Sequence, residues 1–136
     1  MPRILYTKGF KYQLAEMYKV QTPITGYRII TDYCTLQPDG MLTIFKDFAW
    51  DGPSGPTIDT KTFMRGSLVH DVLYKLLREE RLPQSERFIA DKLLQYICIE
   101  DGMWKLRAWI VFQAVHYFAK SAASPTNRKR IISAPK

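Results

Sequence analysis

From residue 52 to residue 56 the chain reads Gly52-Pro53-Ser54-Gly55-Pro56, two glycines and two prolines in five positions. Proline removes backbone donors and fixes φ, so neither a helix nor a central strand runs through such a segment. It is a loop, and a comparatively stiff one. It also divides the chain into two halves of different character.

Upstream, residues 27–36 carry Tyr27, Ile29, Ile30, Thr31, Tyr33 and Thr35, the β-branched and aromatic types that favour strands. Pro38-Asp39-Gly40 follows as a turn, because proline presets φ and glycine accepts a positive φ. Residues 41–45 return as a second strand, so 27–47 is expected to form a hairpin. The stretch 10–20 reads equally as a further strand or a short helix.

Downstream the apolar period changes to that of helices. Phe63, Leu68, Val69, Val72, Leu73, Leu76 and Leu77 predict a helix over 62–81, capped by Asp59, Thr60 or Thr62 and stopped before Pro83. Ser85 is expected to cap a second helix reaching residue 100, with Phe88, Ile89, Leu93, Leu94 and Ile97 inward. Asp101-Gly102 separates it from a third, over 103–121. The expected fold is α+β: an N-terminal antiparallel sheet, the Gly/Pro loop, then two to three packed helices. Residues 1–123 would form one domain and 124–136 a flexible basic tail.

The chain has 136 residues, 46% of them hydrophobic, enough to bury one real core without covalent staples. Cys34 and Cys98 lack the spacing of a disulfide framework and read as buried free thiols of a reducing compartment. Met1-Pro2-Arg3 leads into no uninterrupted apolar core, so no secretory signal is expected. Residues 104–118 are the most apolar run, but Lys105, Arg107, Gln113 and His116 interrupt it. It falls short of the ~20 apolar residues that span a bilayer, and is expected as a buried helix. The net charge of +7 favours an acidic partner: nucleic acid, an anionic lipid surface or an acidic protein face. Arg128-Lys129-Arg130 offers nucleic acid a contact, yet no nucleic-acid-binding pattern accompanies it, and a solubilising tail is the favoured reading.

On the first predicted helix His70 and Tyr74 lie four residues apart and share a face, while Asp71 is turned about 100° away. Polar groups in so apolar a helix need partners. The second helix offers Asp91, which faces His70 if the two helices pack antiparallel. A carboxylate on one imidazole nitrogen fixes the tautomer and leaves the other nitrogen as a base for water. Asp71 is expected to point toward the loop, where Asp51 and the backbone carbonyls around Trp50, Gly52 and Gly55 complete an oxygen cage of the kind Ca²⁺ prefers.

Gly52-Pro53-Ser54-Gly55-Pro56, Ile58-Asp59, His70-Asp71-Val72-Leu73-Tyr74 and Ala90-Asp91, in that order, resemble the phospholipase A2 superfamily. The likeness is nearest to its disulfide-free form in parvoviral capsid proteins. The resemblance implies that His70 activates the water attacking a lipid ester and Asp91 orients it. It also implies that Tyr74 supports the network and that Asp71 with loop carbonyls binds Ca²⁺.

A second resemblance covers residues 27–102. Phe48-Ala49-Trp50-Asp51-Gly52-Pro53-Ser54-Gly55-Pro56, followed by Leu68-Val69-His70-Asp71-Val72-Leu73-Tyr74 and Ala90-Asp91, is similar to a family of unknown function found largely in tailed phages and prophages. It implies a bacteriophage virion or tail-region structural protein, made in the host cytoplasm, carried in the particle and bound to other phage structural proteins. The alternative is a Ca²⁺-dependent ester hydrolase acting on host lipids.

Blander readings stand beside these. His70, Asp71, Tyr74 and Asp91 also suit a buried polar network with no turnover. His116 reads as a satisfied core or boundary histidine, and Trp50, Trp104 and Trp109 as core. A zinc site from His70, His116, Cys34 and Cys98 lacks ligand spacing, and neither Ser54 nor Ser67 sits in a nucleophile elbow.

Overall fold

A computed structural model describes residues 6–7, 12–50, 61–118, 120 and 123–125. Among these residues seven short strands precede three helices, an α+β arrangement. Strands β1 (Tyr6–Thr7), β2 (Tyr12–Leu14) and β7 (Ala49–Trp50) form one antiparallel sheet in the order β1-β2-β7. Strands β3 (Tyr18–Gln21), β4 (Ile29–Ile30), β5 (Cys34–Leu36) and β6 (Met41–Ile44) form a second, in the order β3-β6-β5-β4. Helices α1 (Lys61–Arg78), α2 (Arg87–Glu100) and α3 (Lys105–Phe118) follow, with a 3₁₀ turn at Gln84–Glu86 before α2.

The hairpin centres on residues 37–40, where Gly40 N–H donates to Gln37 C=O at 2.9 Å and Leu36 faces Leu42. Gly40 has φ +93°, and a Cβ there would stand 2.2 Å from the Thr22 carbonyl oxygen, so this turn accepts only glycine. The upstream arm is not one strand. Thr31 Oγ1 accepts the N–H groups of Cys34 (2.9 Å) and Tyr33 (3.2 Å), and this local turn splits 27–36 into β4 and β5. The undecided stretch 10–20 supplies β2 and β3, which belong to different sheets.

The helix limits differ modestly from expectation. Ser85 lies inside the 3₁₀ turn; Glu86 occupies the α2 cap position and makes no side-chain cap bond. α2 ends in a Schellman motif, with Gly102 at φ +107°, Gly102 N–H on Ile99 C=O and Met103 N–H on Cys98 C=O. Of the cap candidates for α1, Asp59 and Thr60 lie outside the described residues, as does the whole Gly/Pro loop. So does the expected tail from residue 126 onward, whereas Ala123 is buried and its carbonyl accepts from Gln84 Nε2 at 2.8 Å.

Helix α1 is the hub. Every residue from Met64 to His70 is buried, and its apolar side chains join both sheets and α2 in the main core. α3 is held differently, through a small second cluster of Leu94, Cys98, Met103 and Ala108. Three expectations fail here. Phe88 is exposed, because the inward face of α2 is filled by Ala90, Leu93, Leu94 and Ile97, leaving Phe88 at the rim against Phe112 and His116. Trp104 and Trp109 are also exposed, unlike the buried Trp50, and α3 as a whole is buried on one side only. Cys34 and Cys98 are buried free thiols, and burial pushes them up to about 11 and about 12. No helix among the described residues is long and apolar enough to cross a membrane.

Helices α1 and α2 run antiparallel, with Arg65 beside Glu100 and Asp101, Gly66 beside Leu94 and Cys98, and His70 beside Asp91. Gly66 sets their closeness: a Cβ there would meet Leu94 Cδ1 at 2.8 Å and Cys98 Sγ at 3.2 Å. Gly66→Ala trades helix propensity against this crowding, whereas Gly66→Leu has no room. Urea denaturation is expected to show Gly66→Leu destabilised by about 1–3 kcal/mol; unchanged stability would mean the helices are not held at this spacing.

Candidate functional site

The site is built around one carboxylate. Asp91, on α2, is fully buried. Its Oδ1 lies 2.7 Å from His70 Nε2 and accepts the Tyr74 hydroxyl proton at 2.7 Å. Its Oδ2 lies 3.1 Å from His116 Nδ1 and 3.4 Å from an Arg87 guanidinium nitrogen. The same Arg87 nitrogen donates to the His116 backbone carbonyl at 2.9 Å, tying α2 to α3. His70 and Tyr74 share a face of α1, as their spacing requires, with ring centroids 4.1 Å apart.

The protonation pattern follows from the donors. Burial works to raise the Asp91 carboxyl pKa, but the hydrogen bonds from His70 and Tyr74, the charge of His70 and the bond from His116 outweigh it. The net shift is downward. Burial and the bond to Asp91 push the Tyr74 phenol up, so it keeps its proton and donates it. An ionised carboxylate only accepts, so Nε2 of His70 carries hydrogen, and the tautomer this bond selects has its lone pair on Nδ1. Nδ1 makes no bond to the described residues, and among them no buried side-chain nitrogen or oxygen lacks a partner. The His70 side chain is 9% exposed.

The residues singled out in the sequence separate into two groups. The structure brings His70, Tyr74 and Asp91 together. Asp71 is partly buried and has an interaction of its own, but it is not among the partners of Asp91. Trp50 is buried, its indole N–H donating to Ser67 Oγ at 3.1 Å, while Ser67 donates to the Met64 carbonyl at 2.9 Å. Asp51, Gly52 and Gly55 lie outside the described residues. Among the described residues no group of three or more His, Cys, Asp or Glu side chains could hold a metal ion.

Sequence reasoning passed over Arg87 and gave His116 no part in the site. The signal for Arg87 was present, four residues before Asp91 on one helix face; His116 enters through tertiary packing alone. A second buried charge was also missed. Arg65, in an apolar run of α1, reaches Asp101 (Nε to Oδ2 3.0 Å), Glu100 and the Tyr18 hydroxyl (2.9 Å), joining β3 to the end of α2. Burial lowers its pKa, but these partners raise it by more, so it remains charged.

Comparison with known proteins finds no matching family model, curated relative or solved structure.

Removing Asp91 strands two imidazoles, a phenol and a guanidinium. Asp91→Ala is expected to cost about 3–5 kcal/mol in urea denaturation, and Asp91→Asn less. A carboxyl depressed in the native state stabilises above its unfolded value, and that contribution is lost as pH falls through the native one. Wild type should therefore lose stability more steeply than Asp91→Asn on acidification below about 4; parallel pH profiles would show that Asp91 is not held ionised.

Proposed function

We propose that the chain is an ester hydrolase of the phospholipase pattern, in which His70 acts as general base. The observation that carries this reading is the pairing of Asp91 Oδ1 with Nε2 at 2.7 Å, which leaves Nδ1 as the ring nitrogen available to a water. A water at Nδ1 would lose its proton to the imidazole as its oxygen adds to the ester carbonyl. That proton then passes to the departing alkoxide, giving a free fatty acid and a lysolipid. Asp91 positions the ring and balances the positive charge it gains, and Tyr74 holds Oδ1 in place. Asp71, with Trp50, Asp51, Gly52 and Gly55, offers the carboxylate and carbonyl oxygens that suit Ca²⁺, which would supply positive charge to the ester oxygen. The loop 51–60 would have to complete that donor set.

A second reading has its own support. A carboxylate buried completely and shared by donors from three helices is also what a structural pin requires. In that reading the chain is a phage virion or tail-region component that binds neighbouring subunits, as its second sequence resemblance implies.

Turnover separates the two. Mixed phospholipid vesicles with Ca²⁺ should release fatty acid, and His70→Gln should slow release by about 100-fold or more while the protein stays folded by circular dichroism. Asp71→Ala should raise the Ca²⁺ concentration needed. No release by the folded wild type would leave the structural reading.

A further inference from the structure

Helix α3 is apolar on nearly every side, yet only one side is covered. Ala108 and Phe112 are buried, and Val111 and Val115 pack on the small cluster of Leu94, Cys98 and Met103. On the opposite side Leu106 is 69% exposed, Ile110 53% and Tyr117 69%, and Trp104, just before the helix, is 84% exposed. Leu106, Ile110 and Tyr117 recur at helical spacing and make one stripe. Covering large apolar side chains is favourable, so an uncovered stripe of this kind marks a binding face.

We infer that this face of α3 docks the protein on an anionic lipid surface. The charges decide between occupants. α3 contains no Asp or Glu. Lys105 and Arg107 flank Leu106, about 100° to either side, and Lys120 follows the helix. A second copy of the chain packed on the stripe would set these cations against their own kind, with no acidic partner on the helix. An anionic bilayer pairs them with its negative headgroups. The aromatic residues agree, since Trp104 and Tyr117 have the apolar body and polar handle that suit a membrane–water boundary. At 14 residues α3 is too short to span a bilayer and would lie in its surface.

The inference does not depend on hydrolysis, because docking is read without turnover. The full chain should co-sediment with phosphatidylcholine vesicles containing phosphatidylglycerol, bind phosphatidylcholine alone more weakly, and shift its tryptophan emission to the blue. Leu106→Asp with Ile110→Asp changes exposed positions only and should weaken binding at least ~10-fold. Lys105→Gln with Arg107→Gln should reduce binding to the anionic vesicles and flatten its salt dependence. His70→Gln should bind like wild type whether or not it hydrolyses lipid. Absence of vesicle binding, or equal binding by the Leu106/Ile110 variant, would overturn the inference. So would sedimentation showing a dimer that this variant dissociates, which would make the stripe a subunit interface.

Discussion

An ionised carboxylate taken out of water costs several kcal/mol unless donors replace its hydration, and Asp91 is buried completely. Its replacements come from all three helices: His70 and Tyr74 on α1, Arg87 on its own α2, and His116 on α3. Each donor reaches the carboxylate only if its helix is rotated and advanced correctly. Apolar contacts tolerate small slips; a buried charge with directional partners does not. Farther along the α1–α2 interface Arg65 imposes the same demand with Asp101, Glu100 and Tyr18, and it ties in a strand as well. Between the two pins Gly66 lets the helices approach until Leu94 and Cys98 fill the space. The register of α1 on α2 is thus fixed at several points.

That arrangement explains which features were legible beforehand. Helical periodicity and the His70/Tyr74 spacing are local, and a short connection favours antiparallel packing, so the meeting with Asp91 could be read from the chain. The turn at Pro38-Asp39-Gly40 was equally local. What the sequence hid depends on competition or distance. The Thr31 hydroxyl takes backbone donors that a continuous strand would have used, and nothing in β propensity announces that choice. Arg65 looks misplaced in an apolar helix until Asp101 and Glu100, some 35 residues away, are brought beside it. For α3 the fault was in the inference itself. A helix apolar all round has more than one face able to meet the core, and periodicity cannot say which will be left outside.

The two polar ends of Asp91 also connect parts of the molecule with different duties. Oδ1 serves His70 and Tyr74, and Oδ2 serves His116 and Arg87, so the imidazole on α1 and the one on α3 draw on a single negative charge. Among the described residues α3 is also held by the small second cluster, by Phe112 against Phe88, and by Arg87 on its backbone at His116. A shift of α3 would strip donors from Oδ2 and leave that oxygen buried with fewer partners, a cost borne by the same group that orients His70. The position of the surface helix and the geometry of the imidazole–carboxylate pair are therefore coupled through one residue, with no longer chain of contacts needed between them.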